Sequence, residues 1–468
     1  MATPPLWNVE ERRSPTFGGT QKRRRRSCVA LPPHSKRSKR LNQHPTARHY
    51  KWELLALLCL AFFFHQGDRA IFGVVLSSIR ADLGLSDPQV GLVGTVLFAT
   101  LAMLMPFAGY LGDVLSRKWL ITGALVFWSC ATLFTGFAGG IVSLILLRSV
   151  ATAGGESFYA PAAYSLIGTY HRETRALAMS VHQAALYIGV IASGFLGGWI
   201  AQRWGWRSAF YIFGGCGILL GSVFIFRLKD APRVLSGDGA IAPHPTWVNP
   251  LHALGQLFRV PTAILLTIGF TAIVTVNNAY VVWAPAFLKD KFSLSLTEAG
   301  GYAMLFHHLL ALLGVIVGGH LSDRWARRWP KARLRIQSAA MALGVPTIVA
   351  VGLAPGLGAT LIAMAAFGLC RGLYECSMHT SLFDVIEPRF RASAMAVMTM
   401  MAFLVGSLSP WLLGVCAQSL GQVRGLSYGF AGLAAAYLLG ALAILAALKW
   451  TFHKDRITED GGRANPAC

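Results

Sequence analysis

The chain has 468 residues, of which 54% are hydrophobic and 13% are charged, and its formal net charge is +22. Soluble proteins carry about 25% charged residues, so this composition excludes an ordinary soluble domain and predicts a protein surrounded by lipid. Glycine, with 49 residues, suits close packing between membrane helices. The eight cysteines show no CxxC or zinc-ligand spacing, so neither a metal site nor a cofactor is predicted.

The positive charge is concentrated in the N-terminal tail and in alternate loops. Residues 1–51 include the basic runs Lys22–Arg26 and Lys36–Arg40 and show no apolar period, which predicts a disordered tail. Two interpretations of the tail remain: a polybasic arm on anionic lipid headgroups, or a dispensable leader. Because the basic residues follow membrane topology, no nucleic-acid partner is predicted.

Twelve stretches in chain order are apolar and long enough to cross a bilayer, which takes about 20 residues. They lie near residues 52–79, 88–111, 118–138, 141–168, 175–202, 206–228, 261–288, 297–321, 334–354, 356–385, 391–420 and 425–450. The proline- and glycine-rich segment 229–260 is typical of a linker. The sequence therefore predicts an all-α membrane protein of two six-helix halves. Its predicted parts are the tail 1–51, the halves 52–228 and 261–450, the linker 229–260 and a C-terminal tail 451–468.

Lysine and arginine are concentrated in the even-numbered junctions between these helices. The junctions after helices three and nine, residues 137–141 and 354–360, contain none. Because basic loops stay on the cytoplasmic side, both termini are predicted to be cytoplasmic. The expected location is the cell (inner) membrane.

A ten-residue stretch occurs once in each half with identical spacing. Residues 109–118 read Gly-Tyr-Leu-Gly-Asp-Val-Leu-Ser-Arg-Lys, and residues 319–328 read Gly-His-Leu-Ser-Asp-Arg-Trp-Ala-Arg-Arg. The glycine allows two helix ends to approach, while the aspartate can accept from exposed N–H groups or pair with the basic residues. The stretch is therefore predicted to act as a conformational latch. Its residues are Gly109, Asp113, Arg117, Lys118, Gly319, Asp323, Arg327 and Arg328.

This repeated stretch resembles the loop motif of the major facilitator superfamily. The resemblance covers residues 52–450 and implies a central cavity and alternating access by rocking of two pseudo-symmetric halves. Asp68-Arg69 in helix one and Arg148 with Gly-Gly-Glu156 in helix four are similar to the spinster-like branch and to the organic anion:cation symporters. Arg148 and Glu156 are eight residues apart, whereas those families usually show seven. The antiporter element Gly-Pro-x-x-Gly-Gly is matched by residues 193–198 only without its proline.

Four ionisable residues within the predicted N-terminal half form the first candidate site: Asp68, Arg69, Arg148 and Glu156. An ionisable residue at mid-membrane costs about 2.5–3.5 kcal/mol on insertion scales, so it usually has a partner or a function. The resemblance implies that the helix-one arginine reaches an anionic substrate group and that the acids take up a proton. The alternative is a fixed salt-bridge network that orients helices.

Helix ten provides a second candidate group. Arg371, Glu375 and His379 follow i, i+4, i+8 spacing, which predicts one helix face and the C-terminal wall of the cavity. Polar and aromatic side chains of other helices complete the candidate substrate and coupling site, with structural hydrogen bonding between helices as the alternative interpretation. They are Tyr159, His182, Gln183 and Asn278.

The sequence predicts a proton-coupled transporter, a symporter of a small organic and anionic solute, that works as a monomer in the bilayer. Sodium is the alternative coupling ion. The alternative cargo is a lysophospholipid or another lipid-like molecule, as the spinster resemblance implies, and a drug/proton antiporter is the third possibility. The chain has no phosphate-binding loop, no His-Glu-x-x-His and no Gly-x-Ser-x-Gly, so an enzyme is not predicted.

Overall fold

The computed structural model describes residues 45–171, 173–230, 255 and 257–457. By contact, the chain divides into Met1–His49 and Tyr50–Cys468, and the helical bundle belongs to the second unit. Most of the predicted basic tail, most of the predicted linker and the end of the C-terminal tail lie outside the described residues.

Twelve helices of the described residues are long and apolar enough to cross a membrane, which confirms the predicted fold class. The first half consists of α1 (Pro45–Leu83), α2 (Asp87–Val114), α3 (Arg117–Thr135), α4 (Ile141–Tyr170), α5 (Arg175–Trp204) and α6 (Trp206–Arg227). The second half consists of α7 (Pro261–Phe292), α8 (Leu296–Ala326), α9 (Ala332–Leu353), α10 (Leu357–Phe383), α11 (Arg391–Gly406 and Ser409–Leu420) and α12 (Gln422–Asp455).

The first helix begins at Pro45, earlier than the residue 52 that hydropathy predicts. The residues ahead of Trp52 are polar, and hydropathy detects only the part of a helix that lipid surrounds. A proline fits the first turn of a helix because its missing N–H would have no partner there. The last residues of the predicted tail therefore belong to α1.

The two halves use the same chain reversal at matched places. Gly205 joins α5 to α6 with φ 82°, and Gly421 joins α11 to α12 with φ 83°. Only glycine adopts this left-handed conformation without a steric penalty. The repeated device supports the predicted pseudo-symmetry of the halves.

Backbone contacts between the halves occur toward the end where α1 turns into α2, which we call the α1–α2 end of the bundle. Gly194 of α5 lies against Gly300 of α8, so a Cβ on Gly194 would stand 2.5 Å from the carbonyl oxygen of Gly300. The N–H of Trp411 in α11 also donates to Oγ1 of Thr95 in α2 at 3.2 Å. Backbone packing thus closes this end of the bundle. The opposite end is called the α2–α3 end below.

The helices α4 and α10, which occupy equivalent places in the two halves, are irregular. In α4, a π turn covers Ile145–Ala151, and a short turn at Ser157 and Phe158 follows Glu156. In α10, the helix ends at Glu375 and resumes at Met378. Irregular turns within helices often occur at functional sites. Each half therefore presents an acidic residue directly before a break in its fourth helix.

Candidate functional site

The predicted charges of the N-terminal half come together around an ion pair between α1 and α4. Nε of Arg69 donates to Oε2 of Glu156 at 2.6 Å. The Glu156 side chain is fully buried, whereas 17% of the Arg69 side chain is exposed. The second carboxylate oxygen, Oε1, has no partner among the described residues. Since buried polar atoms are normally hydrogen-bonded, this oxygen is expected to bond to water or to a solute.

Asp68 and Arg148 extend this cluster on its inner side. Oγ1 of Thr132 in α3 donates to Oδ2 of Asp68 at 3.2 Å. The guanidinium of Arg148 donates from Nη2 to the backbone oxygen of Asp68 and not to its carboxylate. Nε of Arg148 has no partner within the described part of the chain. The cluster therefore keeps donor and acceptor capacity that no described residue uses.

The π turn explains how Arg148 joins the cluster despite its unusual spacing from Glu156. In a regular α-helix, eight residues advance about 80° past two full turns, whereas seven fall about 20° short. The wider π turn at Ile145–Ala151 contains Arg148 and absorbs one additional residue. The departure from the usual spacing of seven is thereby compensated, and Arg148 points toward α1.

A stack of rings covers the side of the cluster toward α5. The Tyr159 hydroxyl donates to the backbone oxygen of Leu58 at 2.6 Å and lies 3.0 Å from Nε2 of His182. Since the single hydroxyl proton goes to the carbonyl, Nε2 of His182 must donate to the Tyr159 oxygen. The rings of Phe62 and His182 are parallel, with centroids 4.4 Å apart.

His65 lies beneath the same rings and connects them to Glu156. Its Nε2 lies 3.1 Å from the backbone oxygen of Glu156, and its Nδ1 lies 2.9 Å from Nε2 of Gln66. A carbonyl can only accept, so Nε2 donates and Nδ1 accepts. This bridge fixes the orientation of the helix turn that carries Glu156.

In the C-terminal half, Arg371 is the centre of a smaller cluster. Its Nε donates to Oε1 of Glu375 at 2.8 Å, and its Nη1 donates to Oδ1 of Asn277 and, at 3.1 Å, to Nε2 of His307. Glu375 retains 23% side-chain exposure. Tyr187 of α5 lies within hydrogen-bonding reach of Glu375 and is the described side chain through which the first half meets this cluster.

Of the remaining predicted side chains, Gln183 and Asn278 form no described hydrogen bond with these two clusters, whereas His379 lies near Glu375. Oε1 of Gln183 accepts from the Tyr164 hydroxyl at 3.3 Å. Asn278 is fully buried, and neither of its amide atoms has a partner among the described residues. His379 follows the break in α10, and its ring lies 6.4 Å from that of Phe270.

The second copy of the predicted latch forms an ion pair outside the ten-residue stretch. Oδ1 of Asp323 lies 3.6 Å from Nη2 of Arg333. The other terminal nitrogen of Arg333, Nη1, pairs with Oδ2 of Asp384 at 3.0 Å. Burial raises the pKa of Asp384, although Arg333 opposes that effect. A Cβ on Gly319 would meet no atom within 4 Å, so no close approach is made there in this state.

The first copy of the latch is described only in part. The surroundings of Gly109 and the side chain of Asp113 lie outside the described residues. Arg117 is the first residue of α3, and Nζ of Lys118 donates to the backbone oxygen of Ile225 at 2.8 Å. In the second copy, Arg327 and Arg328 lie just beyond the last residue of α8.

Sequence reasoning did not select several residues that the structure brings into the clusters. They are Thr132, His65, Asn277 and His307. Each is polar within an apolar stretch, which is the one signal that could have selected it. Their partners lie on other helices, so the sequence alone does not identify them.

Residues 58–410, most of the chain, match the family model of the Major Facilitator Superfamily. The chain therefore belongs to this superfamily and is a multi-pass membrane transporter, not an enzyme.

The chain is a spinster-like member, as its motifs predict. It is 27% identical over 392 residues to Protein spinster homolog 1 of Rattus norvegicus, covering 78% of this chain and 73% of the relative. It is also 25% identical over 417 residues to an MFS-type efflux pump of Mycolicibacterium smegmatis, covering 87% and 94%. The fold is similar to the inward-facing, unoccupied crystal structure of a bacterial homolog to the human lysosomal transporter Spinster. That similarity has a TM-score of 0.76 with 22% identity, and it covers 88% of this chain and 99% of that chain.

Proposed function

We propose that the protein is a proton-coupled secondary active transporter of a small organic anion that works by alternating access. Glu156 and Asp68 carry the proton, and Arg69 and Arg148 hold the negative charge of the solute. Arg371 contacts the same solute from the C-terminal half. The alternative coupling ion is sodium, and the experiment below distinguishes the two ions.

The buried ion pair between Arg69 and Glu156 carries this proposal. The arginine is the more exposed partner, so an arriving anion meets its guanidinium first. An anion that engages Arg69 weakens its hold on Glu156, and a carboxylate that loses its cation binds a proton more tightly. Solute binding and proton binding then change each other's free energy, which is what coupling requires.

The proposed orientation follows from the loops and from the closed end of the bundle. The basic junctions of even number lie at the α2–α3 end, which we assign to the cytoplasm. The halves are packed together at the α1–α2 end, for example at Gly194 and Gly300. On this assignment, the conformation is open toward the cytoplasm, and both termini are cytoplasmic.

Replacement of Glu156 by glutamine tests the coupling directly in proteoliposomes. We expect Glu156→Gln to abolish uptake driven by a pH gradient while it preserves exchange of solute between the two sides, because exchange needs no net proton movement. Glu375→Gln is the matched control, since it removes the equivalent acid of α10 and should leave the response to the pH gradient intact. Unchanged gradient-driven uptake by Glu156→Gln would overturn the proposal. Uptake that follows a sodium gradient instead would replace the proton by sodium.

A lipid-like cargo, such as a lysophospholipid, is the second candidate, and the aromatic stack beside Glu156 favours it. Phe62, Tyr159 and His182 form a buried stack of rings next to the ion pair, which makes the wall behind it largely apolar. Competition between a lysolipid and small organic acids for binding to the purified protein separates the two cargoes. Displacement by the lysolipid alone would establish the second candidate.

The direction of transport defines a third candidate, a drug/proton antiporter. The similarity to the MFS-type efflux pump of Mycolicibacterium smegmatis supports this candidate. In the antiporter, an inward proton gradient drives solute out of vesicles, whereas in the symporter the same gradient drives solute in. Measuring the sign of solute movement after an imposed pH step distinguishes them.

A further inference from the structure

An apolar groove of about 630 Å³ lies between α3 and α4, apart from both charge clusters. Its walls are formed by Ser116, Trp119, Gly123, Phe127, Gly154 and Phe158, among others. More than half of the Trp119 and Phe127 side chains is exposed. Both helices are membrane-spanning, so this surface is covered by lipid.

Two glycines give the groove its depth. A Cβ on Gly123 would meet no atom within 4 Å, and one on Gly154 would meet only the Phe127 ring, at 3.8 Å. Larger side chains at these positions would therefore occupy the groove without clashing with the backbone. The groove is therefore open because glycine, which has no side chain, occupies these two positions.

The length of the groove matches one leaflet of a bilayer. From Ser116 to Phe127, α3 rises about 16 Å at 1.5 Å per residue. The hydrocarbon core of a bilayer is about 30 Å thick, so one leaflet supplies about 15 Å of acyl chain. The groove begins at the α2–α3 end and ends near the middle of the membrane, which suits an acyl chain of the leaflet at that end.

A basic side chain stands at the interfacial end of the groove. Nζ of Lys118 lies 5.2 Å from the centre of the Trp119 ring and donates to the backbone oxygen of Ile225. An ammonium group has three donors, so two remain for another acceptor. Arg117 precedes it, and the carboxylate of Asp230 accepts from the Lys118 backbone N–H at 3.5 Å. A lysine beside an interfacial tryptophan is a typical contact for an anionic lipid headgroup.

We propose that this groove binds one anionic phospholipid from the leaflet at the α2–α3 end. One acyl chain lies along Gly123 and Gly154, and the phosphate is held at Lys118. Gly154 and Phe158 flank Glu156, so the bound chain supports the irregular segment of α4 from its membrane side. The site is separate from the solute site and does not depend on which solute is transported.

Native mass spectrometry of the purified, delipidated protein tests the proposal, with palmitoyl-oleoyl phosphatidylglycerol and the matching phosphatidylcholine as probes. We expect one phosphatidylglycerol to bind more tightly than any further copy and to be lost in Gly123→Leu. Gly215→Leu is the matched control, because Gly215 on α6 also has open space around it. Lys118→Gln should weaken phosphatidylglycerol binding about fivefold and leave phosphatidylcholine binding unchanged.

Unchanged tight binding in Gly123→Leu would overturn the site, and equal affinity for the two lipids would overturn the anionic headgroup. A thermal melt identifies a variant that fails to fold. In that case Gly154→Leu, which fills the groove from α4, takes its place with the same expected loss.

Discussion

The two halves place an acidic residue before the break in equivalent helices but hold that residue in different ways. Glu156 of α4 is held by Arg69 from another helix and is fully buried. Glu375 of α10 is held by Arg371 from its own helix, four residues earlier, and remains partly exposed. The first pair ties two helices together, whereas the second lies within one helix, and Arg371 reaches other helices through the neutral side chains of Asn277 and His307. This difference supports the proposal that coupling depends on the N-terminal half and that the C-terminal half contacts the solute.

The largest expected effect is that of deleting a residue from α4, which contains a π turn where the described part of α10 has none. Deletion of Ala151 removes the additional residue of that turn, so we expect a regular helix with Arg148 still directed at α1 and a folded protein. Deletion of Ala160, in the regular segment Tyr159–Tyr170, is the control. It rotates the buried Ala163 and Leu166 out of the core and should abolish folding.

Size-exclusion chromatography of the two deletion variants in detergent measures the difference. A monodisperse peak is expected for the Ala151 deletion and aggregation for the Ala160 deletion. If both aggregate, the π turn does not absorb the additional residue.

The second prediction removes the arginine of each pair. Arg69→Ala leaves Glu156 buried without its ion-pair partner, which costs about 3–5 kcal/mol of stability. Arg371→Ala leaves the partly exposed Glu375, at a cost of about 2 kcal/mol. Denaturant unfolding in detergent micelles compares the two variants. The double variant Arg69→Ala/Glu156→Ala should regain part of the loss, and equal losses for the two single variants would remove the proposed difference between the halves.

A smaller effect is expected from the tyrosine hydroxyls that support each cluster. The Tyr159 hydroxyl bonds to Leu58 and to His182, whereas that of Tyr280 bonds to the backbone oxygen of Ala303. At about 1 kcal/mol for each hydrogen bond, Tyr159→Phe should cost about twice as much as Tyr280→Phe. The same unfolding experiment measures both variants, and a larger loss for Tyr280→Phe would contradict the expectation.

The smallest effect concerns His171, which follows α4 at the α2–α3 end of the first half. Its Nε2 donates to the backbone oxygen of Lys51 at 2.7 Å. Burial lowers the pKa of His171 below 6.5, so the unfolded chain takes up a proton before the folded one does. Stability from this group is fully present above pH 6.5 and falls as the pH decreases toward the folded pKa.

Substitution of His171 isolates this contribution. The melting temperature of His171→Gln should fall less than that of the unsubstituted protein when the pH is lowered from about 7 to about 5. Parallel curves would show that the histidine is not the titrating group.

Much of the fold follows from the sequence because lipid imposes a simple rule on it. Every membrane helix must be apolar over about 20 residues, so hydropathy identifies the twelve helices directly. The same rule does not detect the first turns of α1. That helix begins at Pro45, in polar sequence ahead of the apolar stretch. Helix ends in water follow capping and turn chemistry instead, as at Ser295, which accepts from the N–H of Glu298.

The candidate site was predictable for the residues that are charged and not for their neutral partners. Asp68, Arg69, Arg148 and Glu156 stand out because charge is rare in lipid, and the structure brings them together. Asn277 and His307 join Arg371 from two other helices, which no local pattern encodes. The i, i+4, i+8 spacing of helix ten does not foresee that α10 is interrupted at Cys376, between Glu375 and His379.

The glycine contacts that close the α1–α2 end offer a way to control the conformational cycle. Main chain meets main chain at Gly194 and Gly300, so one added methyl group is enough to wedge that seam apart. Charged groups also meet across this end, since Asp290 of α7 interacts electrostatically with Arg80 and Asp87 of the first half. Single alanine substitutions at Gly194 or Gly300 would therefore destabilise the conformation that is closed at the α1–α2 end. Each would shift the population toward the other access state by an amount set by the size of its clash.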